Sequence, residues 1–232
     1  MKKTTSGLVI ITGLLITGTI FWLFFRPAPI LTGTDEPALV PTAPAAEIRI
    51  VAFGDSLTAG YNLPIDEAYP AILERALALR GWSVEVINSG VSGETSAGGV
   101  RRAEFIRSLN PDIVLFGLGG NDALRLLPPT ELEKNLSEAL LILRSGDDPP
   151  RVLLIGMRAP ANADETYRTA FDSVYPKLSK VFSLPLVPFF LEGVALDPRY
   201  TLPDGIHPNS VGYEIIVNRI LLPPLLEILP EL

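Results

Sequence analysis

From residue 47 onward, the apolar positions of the chain fall into two alternating textures. Short, β-branched or aliphatic runs at Ile48–Phe53, Trp82–Ile87, Asp112–Leu118, Val152–Met157 and Leu184–Phe189 have the length and composition of strands. Between them, Glu67–Leu79, Val100–Leu109, Thr130–Leu143 and Thr166–Phe182 read as helices. A last helix is expected after Pro208, with Asn209 or Ser210 as its N-cap. Five strands alternating with helices call for an α/β fold, a parallel sheet covered on both faces. Sheets of this kind place their sites at the carboxyl ends of the strands. No internal repeat at a solenoid period interrupts the pattern. The apolar ending Leu221-Leu222-Pro223-Pro224-Leu225-Leu226 is expected as a helix packed on the domain, since it is too short to cross a bilayer.

The first 46 residues are patterned differently. Leu8 to Phe25 carries no charge, and these 18 residues nearly span a bilayer core at a helical rise of about 1.5 Å each. Lys2 and Lys3 precede the run and Arg26-Pro27 ends it. It is longer than the usual apolar region of a cleaved signal, no small-x-small site follows directly, and Trp22, Phe24 and Phe25 suit a membrane interface. Residues 1–26 are therefore expected to be a signal-anchor, one transmembrane helix with its lysines in the cytoplasm and the rest of the chain outside. A late cut near Thr42-Ala43-Pro44-Ala45-Ala46 is the alternative, and it too leaves the main domain exported. Residues 27–46, with prolines at 27, 29, 37, 41 and 44, read as a semi-extended linker reaching on the order of 60 Å at about 3.1 Å per residue. Residues 47–232 are then the globular domain.

Composition sharpens this picture. Hydrophobic residues make up 47% of the chain, enough for a sizeable core. Residues 1–26 hold Lys2, Lys3 and Arg26 and no acids, so the exported part keeps 16 of the 19 basic residues against all 26 acidic ones, a net charge of −10. Such a surface repels phosphate backbones and speaks against a nucleic-acid partner. With no cysteine there is no disulfide, no thiol nucleophile and no cysteine metal site. An oxidising compartment tolerates that well.

The polar motifs each fall just past an expected strand end: Gly54-Asp55-Ser56, then Asn88-Ser89-Gly90-Val91-Ser92-Gly93-Glu94-Thr95, then Gly119-Gly120-Asn121-Asp122, and finally Asp204 with His207. A parallel sheet brings such loops to one edge. His207 is the only histidine, so no second one shares a metal with it, and imidazole is suited to taking and returning a hydroxyl proton. Acyl transfer needs a nucleophile, a base, a group that orients the base, and donors for the oxyanion. Ser56 can be the nucleophile, its N–H near a helix start, and His207 the base. Asp204 can fix the imidazole tautomer, and the Gly93 N–H and Asn121 amide can serve the oxyanion. Singly these motifs have plainer readings. Gly54-Asp55 and Asp204-Gly205 are turn pairs, Asn121-Asp122 can cap a helix, and Gly117-Leu118-Gly119-Gly120 begins a dinucleotide loop that Asp122 breaks where the third glycine should stand. No metal and no organic cofactor is implied. The loop Ala123, Leu124, Leu126, Leu127, Pro128 and Pro129 leaves the expected catalytic edge and is a candidate wall for an acyl groove, or else packs on its own domain.

Taken in order, these blocks resemble those of the SGNH (GDSL) hydrolases over about residues 48–222. The bacterial arylesterase, acyl-CoA thioesterase and lysophospholipase group is most similar. The resemblance is carried by Gly54-Asp55-Ser56-Leu57-Thr58-Ala59-Gly60-Tyr61, Gly119-Gly120-Asn121-Asp122, Pro160-Ala161-Asn162 and Asp204-Gly205-Ile206-His207-Pro208. Tyr175-Pro176-Lys177-Leu178 and Pro185-Leu186-Val187-Pro188-Phe189-Phe190 are also similar. It implies a flavodoxin-like three-layer α/β/α sandwich, Ser56 as nucleophile, and an oxyanion hole of Ser56, Gly93 and Asn121. It further implies a triad completed by Asp204 and His207, and a small-molecule or lipid acyl ester or thioester as substrate. Unlike that group, this chain carries an expected tether in place of a cleaved signal. The expected location is a bacterial cell membrane, with the domain on the periplasmic or extracellular side. Two other functions fit the same sequence: a carbohydrate O-acetylesterase of the envelope, and a tethered binding module without catalysis.

Overall fold

The computed structural model describes residues 48–230. Five parallel strands, β1 (Ile48–Gly54), β2 (Val84–Gly90), β3 (Ile113–Gly117), β4 (Arg151–Ile155) and β5 (Leu186–Val187), form one sheet in the order β2-β1-β3-β4-β5. That is the flavodoxin-like order. Side chains alternate across a strand, so a strand buried on both faces must be apolar at successive positions. The three central strands obey this. Ile50 and Ala52 of β1, Ile113 and Leu115 of β3, and Leu153 and Ile155 of β4 enter one core. Val51 and Phe53, Val114 and Phe116, and Val152 and Leu154 enter the other.

Helices close both faces. On the first lie α2 (Tyr69–Ala78), α7 (Ser210–Ile215), a π-helical segment (Ile216–Leu221) and α8 (Leu222–Leu226). On the second lie α3 (Ser96–Ser108), α5 (Pro129–Leu143) and α6 (Glu165–Phe182). Two short helices, α1 (Ser56–Ala59) and α4 (Gly120–Leu124), begin directly at the ends of β1 and β3. From β1 the chain crosses one face to β2, then returns over the other face to β3. The strand order therefore reverses between β1 and β3, which opens a crevice at their carboxyl ends.

Several expected boundaries move, each for a local reason. Asn88, Ser89 and Gly90 are the last residues of β2, paired with Ala52, Phe53 and Gly54, and not the start of a loop. The ladder uses backbone groups, so polar side chains continue it. The expected fifth strand shrinks to two residues because Pro185 and Pro188 have no N–H to pair. Helix α3 starts at Ser96, four residues before the expected Val100, despite Gly98 and Gly99. These two glycines are close approaches: a Cβ at Gly99 would stand 2.2 Å from the Leu118 side chain. The cap after Pro208 is Asn209, whose side chain accepts from the Gly212 N–H at 2.9 Å. As expected, the apolar ending is helical, with Leu222 and Leu225 buried. The anchor expected at 1–26 and the linker expected at 27–46 lie outside the described residues. Among the described residues, no helix is long and apolar enough to cross a membrane.

Candidate active site

Strand β1 ends at Gly54, and Asp55 turns the chain. Its Oδ1 accepts the Leu57 N–H at 3.0 Å and so caps α1, which places half-buried Ser56 as the first helical residue. Buried Asp55 also accepts from the Asn121 amide, Nδ2 to Oδ2 at 3.3 Å. Burial pushes the Asp55 carboxyl up to about 6, against the lowering effect of the Leu57 and Asn121 hydrogen bonds.

The other partner arrives on a closed loop. Thr201 bridges Pro208, the Leu202 N–H donates to the His207 carbonyl at 2.7 Å, and the Asn209 N–H donates to the Tyr200 carbonyl at 2.9 Å. Inside this loop Asp204 does two jobs. Its Oδ1 accepts the N–H groups of Ile206 and His207 at 2.9 and 3.0 Å, the self-made turn typical of aspartate. Its Oδ2 lies 2.8 Å from His207 Nδ1. Partial burial raises the Asp204 pKa, but these bonds from His207 and Ile206 outweigh it and hold the carboxyl below its ordinary range. His207 Nε2 lies 2.8 Å from Ser56 Oγ, across 151 residues of sequence. The Tyr61 ring packs on the imidazole with centroids 4.5 Å apart. Buried Tyr213 donates its hydroxyl to the Leu57 carbonyl at 2.8 Å, tying the helix after His207 to the helix that begins with Ser56.

Gly93 and Asn121 line the same cleft as Ser56 and His207. Gly93 has φ +81° and stands third in the turn Val91–Glu94, closed by the Glu94 N–H donating to the Val91 carbonyl at 3.1 Å. A positive φ at this place is what glycine supplies. Buried Asp122, next to Asn121, accepts the Ser96 N–H at 2.8 Å and its hydroxyl at 2.5 Å. It therefore bonds the first residue of α3 from the short helix α4 and ties the Gly93 segment to the Asn121 segment.

The cleft measures about 840 Å³. Leu124 lines it, whereas Leu126 and Leu127 do not. The reason is a turn: the Leu126 and Leu127 N–H groups donate to the Ala123 and Asp122 carbonyls, and Leu126 sits at φ +51°, directing the chain away. The apolar wall comes instead from Met157, Phe189, Leu191, Leu196 and Ile206, on loops after β4 and β5 and beside His207. The sequence assigned no role to that wall, to Tyr61 or Tyr213, or to the Asp55–Asn121 contact. Tyr61, Pro160-Ala161-Asn162, Phe189 and Ile206 stood in stretches that carry the resemblance, and all of them lie on this cleft. Among the described residues, no three His, Cys, Asp or Glu side chains gather as a metal site would require.

The sequence model of the GDSL-like Lipase/Acylhydrolase family matches residues 52–215. The chain is 40% identical over 175 residues to the thioesterase 1/protease 1/lysophospholipase L1 of Escherichia coli K12, covering 75% of this chain and 82% of that one. It is 38% identical over 168 residues to an arylesterase of Vibrio mimicus, covering 72% and 83% respectively. The crystal structure of AlinE4, an SGNH-hydrolase family esterase, superposes with a TM-score of 0.64 at 44% identity, covering 73% of this chain and 90% of that one.

Proposed function

The chain belongs to the GDSL-like Lipase/Acylhydrolase family, and on that premise we propose that it is a serine esterase working through an acyl-enzyme on Ser56. One observation carries the mechanism: the unbroken relay from Asp204 Oδ2 through His207 Nδ1 and Nε2 to Ser56 Oγ, with both contacts at 2.8 Å. With Nδ1–H donating to Asp204, the Nε2 lone pair faces the serine hydroxyl and takes its proton as Oγ attacks the acyl carbonyl. The oxyanion that forms is served by the Ser56 N–H, the Gly93 N–H and the Asn121 amide. Losing one such donor raises the barrier by about 3 kcal/mol in comparable sites. The imidazolium returns its proton to the leaving alcohol or thiol. Water, deprotonated in turn by His207, then releases the acid and restores Ser56. The whole cycle uses side chains and backbone of this chain.

The substrate class is acyl esters and thioesters. The names of the relatives, arylesterase and thioesterase/lysophospholipase, support it. So does an apolar cleft of about 840 Å³, which suits an alkyl chain more than a lone acetyl group. We further assign residues 1–26 to a single-pass membrane anchor, 27–46 to a linker and 47–232 to the hydrolase domain, held on the outer side of a bacterial cell membrane. The uncharged run Leu8–Phe25 behind Lys2 and Lys3 supports this assignment.

Hydrolysis of p-nitrophenyl esters from acetyl to palmitoyl by the full chain, beside Ser56→Ala, tests the reading. Turnover lost by a factor of at least about 10³ in a folded mutant is the expected result. Equal rates in both proteins, with no fluorophosphonate labelling of the parent chain, would refute the serine mechanism.

A further inference from the structure

Resting on the esterase reading, we propose that Arg102 is a positioning residue of the reaction: its ion pair with Glu94 holds the Gly93 N–H where the oxyanion forms. Glu94 ends the tight turn that carries Gly93, and its carboxylate folds back from that turn to meet the cation. Arg102 Nε donates to both oxygens at 2.8 and 3.0 Å, and Nη2 makes a further contact to Oε2. The same guanidinium reaches two strand ends. Nη1 donates to the Ser89 carbonyl of β2 at 3.1 Å, and Nη2 to the Gly54 carbonyl of β1 at 3.3 Å. Its flat face lies over the Phe53 ring, 4.9 Å from the centroid.

One planar cation thus registers three pieces of backbone. These are the Gly93 turn, the end of the strand beside it, and the end of the strand two residues before Ser56. A guanidinium presents its donors in a fixed fork, so this geometry is stiffer than a lysine could make it. The arrangement is poorly explained as mere stabilisation. The side chains of Arg102 and Glu94 are only 22% and 8% exposed, and burying a charge pair roughly offsets its own attraction. The surroundings are also shaped for the carboxylate. Gly98 keeps the space open, since a Cβ there would stand 2.6 Å from the Glu94 Cγ. On the outer side of the turn, Arg125 only donates to the Gly93 carbonyl, at 2.9 Å and in an exposed position. The inner clamp therefore sets the position of the turn.

The test uses the full chain, with active sites titrated to completion by a fluorophosphonate and turnover of p-nitrophenyl butyrate expressed per active site. Arg102→Ala is expected to lower kcat roughly tenfold to a hundredfold with KM changed less than about twofold, because only the transition state feels a displaced donor. Affinity for an alkylboronic acid, which forms a tetrahedral adduct on the serine, should fall by the same factor as kcat/KM. Added guanidinium ion should restore part of the rate to Arg102→Ala, and Arg102→Lys should recover less than full activity. A folded Arg102→Ala that keeps its turnover per active site overturns the proposal. So does a loss confined to melting temperature and to the number of titratable sites. If Arg102→Ala does not fold, Glu94→Gln is read the same way. A parent chain that neither hydrolyses esters nor takes the fluorophosphonate fails the esterase reading itself, and this inference falls with it.

Discussion

At the scale of single residues, two aspartates of the same site are driven in opposite directions by their surroundings. Partial burial raises the Asp204 carboxyl, but hydrogen bonds from His207 and Ile206 outweigh it and hold it below its ordinary range. Asp55 is buried beneath Ser56 and Asn121, and desolvation raises it to about 6 from 3.8. For a carboxyl the sign follows directly. The folded chain holds its proton more tightly than the unfolded one, so the stability this provides is full below about pH 4 and is lost as the pH rises through 6. Asp55→Asn cannot ionise, yet its amide oxygen can still accept from Leu57. Between pH 4 and pH 7 the variant is therefore expected to gain roughly 3 kcal/mol relative to the parent chain. Urea unfolding of both proteins across that range measures it, and a pH-independent difference would contradict the burial argument.

At the scale of elements, the segments after β1, β3 and β5 are each closed by their own hydrogen bonds. The short helix α4 makes the clearest case. It carries Asn121 and Leu124 on the cleft, then reverses at Leu126. Leu124→Ser is expected to weaken turnover of long-chain esters more than that of acetyl esters, by about 0.8 kcal/mol for each methylene that loses its contact. Leu126→Ser, at an equally exposed leucine two residues on, should leave the chain-length profile unchanged. Parallel shifts for both variants, or an equal loss on all esters for Leu124→Ser, would remove α4 from the acyl groove. Strand β5 shows the opposite case, in which proline chemistry trims an element to the length its backbone donors allow.

At the scale of the whole molecule, the domain and the segment before it pose separate questions. If residues 1–26 anchor the chain, the full protein should stay with membranes through an alkaline carbonate wash, and a chain lacking those residues should be released. A full-length chain found in the wash would contradict the anchor. Much of the domain was legible beforehand. Apolar runs of five or so residues between helical stretches dictate a parallel sheet with two covered faces, since each central strand divides its side chains between two cores. The motifs were legible because turn-forming residues and chemically active ones sit together in short stretches, as in Gly54-Asp55-Ser56 and Asp204-Gly205-Ile206-His207. The cleft wall was legible only as matched stretches. Met157, Leu191 and Leu196 read as ordinary apolar residues, and Phe189 and the neighbouring Pro160-Ala161-Asn162 carried a resemblance without showing that they share a cavity. Arg102 was equally silent, one charge among several on a helix, until folding set it against two strand ends and the Gly93 turn. By itself, then, the sequence determined the order of elements, the two-faced sheet and the chemistry available at each strand end, because those depend on neighbours along the chain. Which groups meet, at what distance and in which cavity, was decided only by the tertiary structure, because strand register and helix packing bring together atoms as far apart in sequence as Ser56 and His207.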